Sequence, residues 1–318
     1  MSSHVSDVLT VSDLGNGGII KPQYANEIIK DAPRSSVLLT RARRVRMGSR
    51  ERVQPVLDSK PLAYWVGGDT GLKQTTKQTW ASEKMTAEEL AVIVPIPENI
   101  IADSEINLWA EIRPYIAEAI GLKVDSAGIF GVDKPATWPD AIVPKAKSVG
   151  NVVEQGTGAD LAADVTSLAE KMAKQGFNPN GFAAQPGLNW QLMGLRDANG
   201  RPVYTPDLQT RGAGNLYGYP LNEVDNGAWD ASQAVLLMAD WNNFVVGVRQ
   251  DITYKMLDQA VITDDDGKVV LNLAQQDCVA MRVVFRVAFA VTNPINNLQS
   301  DKTKRYAAGV ITPKAAGK

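Results

Sequence analysis

The chain has 318 residues, of which 44% are hydrophobic and 21% are charged, and its formal net charge is −2. This length and composition are typical of a globular protein with one elaborate domain or two simpler ones. So small a net charge argues against a protein that wraps nucleic acid through bulk positive charge. The chain opens without a signal-peptide pattern, and no segment reaches the roughly 20 apolar residues of a membrane-spanning helix, so we expect neither export nor a membrane role.

Cysteine and histidine are each present once, as Cys278 and His4. A single cysteine cannot form an internal disulfide framework or a cysteine-cluster zinc site. A catalytic triad with an imidazole base would have to use His4, which lies in a polar N-terminal stretch. We therefore expect no enzymatic activity, no metal and no cofactor, and a buried, unreactive role for Cys278.

The N-terminal part of the chain predicts an extended arm followed by a basic stripe. Residues 1–33 are rich in Ser, Asp, Gly and Asn, and a segment of this kind needs another surface on which to lie. The basic stripe can meet phosphate or an acidic neighbour, and we favour a solvated or subunit-paired arm over contact with DNA. It consists of six arginines within twelve residues: Arg41, Arg43, Arg44, Arg46, Arg50 and Arg52.

A long two-stranded excursion with a flexible tip is predicted over residues 53–94. Its strand-like segments are Val53–Leu57, Tyr64–Val66 and Leu90–Ile96, and they surround a polar, glycine-containing middle at 67–77. A lone hairpin of this length cannot bury enough surface to hold itself. We therefore expect it to lie against another molecule.

Apolar residues four positions apart predict one long helix that ends near Phe130. The helix would have about 20 to 25 residues and a length of roughly 30 to 38 Å. Asp103 or Ser104 is the expected N-terminal cap. The apolar positions are Leu108, Ile112, Ile116 and Ile120.

The residues from Val279 to Val291 alternate between large apolar side chains and others, which predicts an unusually long strand of about 43 Å. Ala260–Leu273, with a turn at Asp266-Gly267, is expected to supply its partner hairpin. Residues 160–260 are predicted to form a separate α/β lobe, with helices over Asp160–Gln175 and Leu188–Leu195.

Two motifs resemble ligand sites but lack the required spacing. Leu72 separates Gly71 from Lys73, so the segment does not match a phosphate-binding loop. In the aspartate-rich turn, Ile262 and Leu273 occupy positions at which a calcium loop needs oxygen ligands. These segments are better explained as a loop and a hairpin turn.

Several motifs, weak singly but in a consistent order, carry a family resemblance. They read VPIPE at 94–98, DSAGIFG at 125–131, LMGLRDANGRP at 192–202, LYGYPL at 216–221 and MADW at 238–241. In this order the chain resembles, over roughly residues 35–300, the major capsid proteins of tailed bacteriophages that have the Hong Kong 97 type fold.

The resemblance implies an α+β fold and a structural function. Many copies would assemble as pentamers and hexamers into an icosahedral shell that encloses double-stranded DNA without sequence specificity. The shell would belong to the virion and assemble in the host bacterial cytoplasm, either with a separate scaffolding protein or with none, and portal and decoration proteins are further candidate partners. The implied divisions are an N-arm at 1–49, an extended loop at 50–97, a peripheral domain at 98–145 and 263–294, and an axial domain at 146–262 and 295–318.

The resemblance also implies interface residues and a chemical step that some relatives perform. In those relatives a lysine of the extended loop is joined to a neighbour's asparagine with the help of a C-terminal glutamate. No glutamate follows Glu223 here, and although Asp277 could substitute, we do not favour crosslinking. The candidate crosslink residues are Lys73, Lys77, Asn293, Asn296 and Asn297. The candidate interface residues are Arg41, Arg43, Arg44, Arg46, Trp65, Lys73, Lys77, Trp80, Arg211, Tyr217 and Tyr219.

Two other functions stay open at this point. The same fold would permit an encapsulin-type nanocompartment, which co-purified protein cargo in place of a genome would reveal. A carboxylate-based enzyme would instead be a stable monomer with two converging carboxylates in a pocket. Glu88 and Glu89 do not provide such a pair, because neighbours in a strand face opposite ways.

Overall fold

A computed structural model describes residues 35–66, 72–73, 75–104, 106–196, 199–201, 204, 214–264 and 266–314. The chain packs into two compact units. The described residues of the first unit lie within 89–120 and 250–286, and those of the second lie within 35–88, 121–249 and 287–314. Among the described residues, no helix combines the length and apolar character needed to span a membrane.

The long helix of the sequence prediction is present, but it starts later than predicted. Ser104 ends the short helix α2, and Asn107 caps the long helix by accepting a hydrogen bond from the backbone N–H of Ala110 at 3.2 Å. The predicted N-terminal caps, Asp103 and Ser104, were therefore wrong. Asparagine is an equally favourable cap, and here Asn107 supplies the side-chain oxygen. A π-turn over Ser126–Phe130 continues the helix, so that together they span 23 residues. In chain order, the first three helices of the described residues are α1 (Val37–Arg41), α2 (Glu98–Asp103) and α3 (Leu108–Asp125).

Two strands of fourteen residues, β10 (Phe244–Leu257) and β13 (Cys278–Val291), are neighbours in a four-stranded sheet. The other two strands lie at its edges, β1 (Arg43–Arg46) beside β10 and β4 (Glu88–Pro97) beside β13. The strand β13 confirms the predicted strand at Val279–Val291. Its neighbour β10 was missed, because the polar, exposed residues of its second half interrupt the apolar pattern.

The hairpin at 260–273 forms a two-stranded sheet of its own. Its strands β11 (Val261–Thr263) and β12 (Val269–Asn272) pair antiparallel, around a turn in which Gly267 has φ +79°. The prediction that this hairpin is the partner of the long strand was therefore wrong. Leu271 and Leu273 pack with Cys278 and Ala280 in a small core of the first unit.

The predicted excursion is a hairpin of β2 (Glu51–Ser59) and β3 (Thr79–Thr86), which pair antiparallel. The returning strand was predicted incorrectly, since Leu90–Ile96 belongs to β4 and Tyr64–Val66 is not a strand. The reason is that β3 contains few apolar residues, so its strand pattern is weak. Part of the predicted tip, residues 67–71 and 74, lies outside the described residues.

A six-stranded mixed sheet forms the α/β lobe, in the order β5-β14-β9-β6-β8-β7. Its strands are β5 (Val152–Glu154), β6 (Gly181–Ala184), β7 (Gly214–Leu216), β8 (Tyr219–Glu223), β9 (Leu236–Ala239) and β14 (Ala308–Thr312). Its helices are α4 (Ile142–Val149), α5 (Leu161–Lys174) and α6 (Leu188–Gly194), of which the last two confirm predicted helices.

The two helices α4 and α5 contact β14 and cover the sheet. A Cβ atom on Gly309 of β14 would lie 2.7 Å from the Cδ1 atom of Leu168 in α5, so a glycine is needed for this close approach. Asp160 caps α5 by accepting a hydrogen bond from the backbone N–H of Ala163 at 2.7 Å. All four residues of β9 are buried, which places the core of the lobe at this strand.

Candidate assembly surfaces

The basic stripe lies on α1, β1 and the segment that leads into β2. Arg43, Arg44 and Arg46 are exposed, whereas Arg41 is partly buried and donates a hydrogen bond from Nη2 to the Oδ1 atom of Asn222 at 2.9 Å. The strand β1 pairs in parallel with β10, which fixes these side chains at the edge of the sheet. Within the stripe Arg50 forms an ion pair with Glu88 at 3.4 Å, whereas Arg43 and Arg46 have no carboxylate partner among the described residues.

Exposed apolar side chains are concentrated on the far part of the β2–β3 hairpin. Trp65 is fully exposed, Leu72 is 90% exposed, and Leu62 and Trp80 are also largely exposed. Lys73 and Lys77 lie on the same segment and are exposed. Burial of apolar area stabilises proteins by about 25 cal/mol per Å², and this segment forgoes that stabilisation in the single chain. The predicted candidates Trp65 and Trp80 are therefore exposed, as are Leu62 and Leu72, which were not predicted.

The paired strands of this hairpin are attached to the C-terminal part of the chain. The backbone N–H of Ile295 donates to the carbonyl of Leu57 at 3.0 Å, and the Nζ atom of Lys302 lies 2.5 Å from the Oε1 atom of Glu83. Leu57 pairs with Trp80 near the far end of the strands, so these contacts reach that end, and the described residues at 61–78 beyond it are exposed.

The turn between β7 and β8 places aromatic side chains on the surface of the lobe. Tyr217 and Gly218 have φ values of +52° and +80°, which is the pattern of a two-residue type I′ turn. Tyr217 and Tyr219 are 54% and 43% exposed. A tyrosine at positive φ is an outlier for a bulky residue and costs on the order of 1–3 kcal/mol. Within the chain, the Tyr217 hydroxyl donates a hydrogen bond to the carbonyl of Ala162 at 3.4 Å.

The helix α6 of the lobe carries a further exposed aromatic side chain. Trp190 on α6 is 75% exposed, while Leu188 and Leu192 on the same helix are buried. The sequence reasoning missed Trp190, although its position two residues from each buried leucine signals that it faces away from the core. The predicted interface residue Arg211 lies outside the described residues.

The candidate crosslink asparagines lie in the segment that follows β13. Asn293 donates to the carbonyls of Lys302 and Arg305, and its Oδ1 atom accepts from the Nε atom of Arg305 at 3.0 Å. Asn296 donates to the carbonyl of Gln175 at 2.8 Å, whereas Asn297 is exposed. Two of the three candidate acceptors are therefore engaged in hydrogen bonds that fix the local backbone.

Asn293 lines a groove of about 730 Å³ together with Glu83, Lys302 and Tyr306. Glu83 is a carboxylate of the same groove, and it comes from β3 and not from the C-terminal part of the chain, where the resemblance implied one. Asp277, the substitute considered from sequence, belongs to the other compact unit. Burial raises the pKa of Tyr306 and lowers the pKa of Arg305.

The described residues contain no cluster of three histidine, cysteine, aspartate or glutamate side chains suited to a metal ion. Cys278 is buried, and this burial, together with the charges of Asp277 and Glu98, raises the pKa of its thiol. A raised pKa is the opposite of what a reactive thiolate needs.

Comparison with known proteins identifies the kind of molecule that carries these surfaces. The phage capsid family matches residues 16–296. The major capsid protein of Staphylococcus phage 80alpha is 24% identical over 279 residues, which cover 87% of this chain and 82% of that protein. The probable major capsid protein gp17 of Mycobacterium phage L5 is 24% identical over 291 residues, with 86% of each protein covered.

Solved structures agree with this family over nearly the whole chain. A chain of Microbacterium phage Oxtober96 is 36% identical with a TM-score of 0.82, and the match covers 96% of this chain and 99% of that one. A chain of Mycobacterium phage Cain is 33% identical with a TM-score of 0.81, and the match covers 97% and 99%. The predicted α+β fold of the Hong Kong 97 type is confirmed. The chain belongs to the phage capsid family.

Proposed function

We propose that the chain is a major capsid protein that assembles as pentamers and hexamers into an icosahedral shell around double-stranded DNA. The observation that carries this proposal is the family match over residues 16–296, with relatives that are named major capsid proteins. The exposed apolar side chains of the β2–β3 hairpin support it, because they require a neighbour for burial.

We assign the parts of the chain to the domains that the family resemblance implies. Residues 1–49 form the N-arm, 50–97 the extended loop, 98–145 with 263–294 the peripheral domain, and 146–262 with 295–318 the axial domain. The pairing of β14 with β5 and β9 supports the assignment of the C-terminal segment to the axial domain. The exposed tip at Trp65 supports an extended loop that lies across a neighbouring subunit.

The ring contacts are assigned to the β7–β8 turn of the axial domain. Tyr217, Tyr219 and Arg211 would meet their neighbours around the five-fold and six-fold axes. Head-to-tail contacts that rotate to closure form rings, and rings of five and six together close a shell. Each contact can be weak, because every subunit makes several contacts at once.

The exposed arginines contribute electrostatically. We assign Arg43, Arg44 and Arg46 first to an acidic surface of a neighbouring subunit, with the phosphates of packaged DNA as the alternative. The formal charge of −2 supports an inner face that tolerates DNA without recognising its sequence. Assembly would take place in the bacterial cytoplasm, with scaffolding, portal and decoration proteins as partners.

The proposed function is structural, without a catalytic step. The hydrogen bonds of Asn293 and Asn296 oppose their use as acceptors for Lys73 or Lys77 of a neighbour, because each would have to leave its present partners. Denaturing electrophoresis of assembled shells tests this directly. A single band at 34 kDa is expected, and a ladder of covalent multimers would show crosslinking.

The function is tested by size-exclusion chromatography and negative-stain electron microscopy of the recombinant chain, alone and with its scaffolding protein. Uniform hollow shells, or rings of five and six, are the expected result. A monodisperse monomer at all concentrations, with or without scaffold, would contradict the proposal. Nucleic acid in shells from infected cells would distinguish a genome container from a compartment for protein cargo.

A further inference from the structure

A buried carboxylate at the end of α3 joins three separate parts of the chain. The Oδ1 atom of Asp125 accepts hydrogen bonds from the Ser36 hydroxyl at 2.6 Å and from the Leu38 backbone N–H at 2.9 Å. Its Oδ2 atom accepts from the Val37 backbone N–H at 3.0 Å and from the Asn226 amide at 2.8 Å. All four partners are donors, which is the environment that an ionised carboxylate requires.

Two glycines flank this carboxylate and make room for the same segment. Gly121 and Gly128 stand four residues before and three residues after Asp125, the spacing of one helix face. A Cβ atom on Gly121 would lie 3.2 Å from the Cβ atom of Ser36, and one on Gly128 would lie 2.5 Å from the Cδ2 atom of Leu38. The fully buried Leu38 thus fits against a surface that has no side chain at this point.

The segment that occupies this site could not hold its own structure. The helix α1 has five residues, and an isolated helix of that length is not stable in water. The first N–H groups of a helix lack acceptors within the helix, and the carboxylate of Asp125 supplies acceptors for the N–H groups of Val37 and Leu38. Ser36, held by Asp125, in turn accepts from the Leu39 backbone N–H at 3.0 Å. The placement of α1, and of the arginines that follow it, therefore depends on one carboxylate.

We infer that Gly121, Asp125 and Gly128 form the anchor of the N-terminal arm. They hold residues 36–38 of each subunit and so fix the position of α1 and of the arginines that follow it. The inference rests on the proposed capsid function. It makes Asp125 a positioning residue for assembly, acting through the segment that it holds.

The primary test compares Asp125→Asn with a matched control, Asp164→Asn. Asp164 is also buried, and its two oxygens accept the backbone N–H groups of Gly156 and Gly158 at 2.7 Å each. It has the same chemistry without contact to the N-terminal segment. In Asp125→Asn the NH2 group of the new amide would face N–H and O–H groups that now donate to the carboxylate. Two donors facing each other form no hydrogen bond, so residues 36–38 should be released.

Release is measured by trypsin cleavage after the arginines at 41–46 and by protection of the Val37 and Leu38 amides from hydrogen exchange. Asp125→Asn should be cleaved on the order of tenfold faster than the unsubstituted chain, as expected when hydrogen bonds to a charged group are lost. It should also form few or no shells. Asp164→Asn should keep the original cleavage rate in this segment and should assemble.

A second pair of variants separates docking from general stability. Gly128→Ala places a methyl group against Leu38 and should weaken both protection and assembly. The double variant with Leu38→Ala removes the clash, so it should assemble better than Gly128→Ala alone although it has lost a buried side chain. A variant that was merely unstable would be made worse by the second substitution.

The outcomes are distinguishable. If the unsubstituted chain forms no shells under any condition, the proposed function fails, and the anchor is judged from cleavage and exchange alone. The anchor is overturned if Asp125→Asn keeps normal cleavage and assembly, if Asp164→Asn shows the same losses, or if the double variant assembles worse than Gly128→Ala.

Discussion

The six-stranded sheet and the β2–β3 hairpin belong to the same compact unit, yet they bury their side chains very differently. Phe182 in the sheet is 2% exposed, whereas Trp65 in the hairpin segment is fully exposed. The sheet has α4 and α5 packed against it, whereas in the paired strands of the hairpin only Val56, Met85 and Thr86 are buried. Backbone pairing gives a strand its geometry, but only a second layer gives it a core. One region completes its core within the chain, and we propose that the other completes it against a neighbouring subunit.

The largest effect is expected from a cavity in the sheet. Phe182→Ala removes a buried ring from β6 and should lower the free energy of unfolding by about 3–5 kcal/mol. Urea denaturation of the unassembled chain measures this loss. A loss below about 0.5 kcal/mol, within the range of ordinary surface substitutions, would mean that the lobe does not depend on this core.

The complementary change is made on the hairpin. Trp65→Ala should alter the stability of the unassembled chain by less than about 0.5 kcal/mol. It should weaken assembly strongly, by about 2 kcal/mol or more per contact, if Trp65 is an interface anchor. The concentration needed for shell formation measures this effect. Val269→Ala, at an exposed apolar residue of β12, is the control, and equal effects of the two variants on assembly would contradict a special role for Trp65.

A smaller effect of opposite sign is expected at the β7–β8 turn. Tyr217→Asn replaces a strained residue with one that favours positive φ before Gly218, so the unassembled chain should gain about 1 kcal/mol. Ring formation should weaken, because the exposed ring is lost. Tyr219→Asn is the matched control without positive φ, and it should weaken assembly with no gain in stability. A variant Tyr217→Asn that assembles as well as the original would remove this tyrosine from the proposed ring contact.

The smallest effect concerns the protonation of Asp125. Burial raises its pKa above the ordinary value of 3.8, against the opposing effect of its hydrogen bonds. The folded chain therefore takes up this proton at a higher pH than the unfolded chain does. Between the two pKa values, the contribution of Asp125 to the free energy of unfolding increases as the pH falls, and below the unfolded value it is constant.

This linkage is measured by urea denaturation between pH 7 and pH 4 for the original chain and for Asp125→Asn. The difference in stability between them should grow as the pH falls, because the variant lacks the titrating group. A difference that shrinks would mean that the hydrogen bonds outweigh burial and lower the pKa.

The parts of the fold that could be predicted from sequence are those with a strong local period. The strand at 279–291 and the helix α5 were found because their apolar residues recur without interruption. The strand β3 and the second half of β10 were missed, because their exposed faces carry polar residues that hide the alternation. Pairing between strands that are distant in sequence was predicted least well. The neighbours of β13 are β10 and β4, and not the hairpin at 260–273.

The candidate surfaces divide in the same way. Trp65 and Trp80 were identified because aromatic residues in a polar, glycine-containing segment are conspicuous. Glu83 and Asp125 were missed, since their partners lie far away in the sequence. Trp190 was missed although its spacing from the buried Leu188 and Leu192 already signals an exposed position.

The central claim is that the hairpin is completed by neighbouring subunits while the lobe completes itself. Hydrogen exchange of unassembled chains and of purified shells tests it most directly. The amides of 62–66 should exchange rapidly in the unassembled chain and become protected in shells, whereas those of β9 should be protected in both. Equal exchange at 62–66 in the two states would contradict the claim, because the exposed apolar segment would then have gained no partner on assembly.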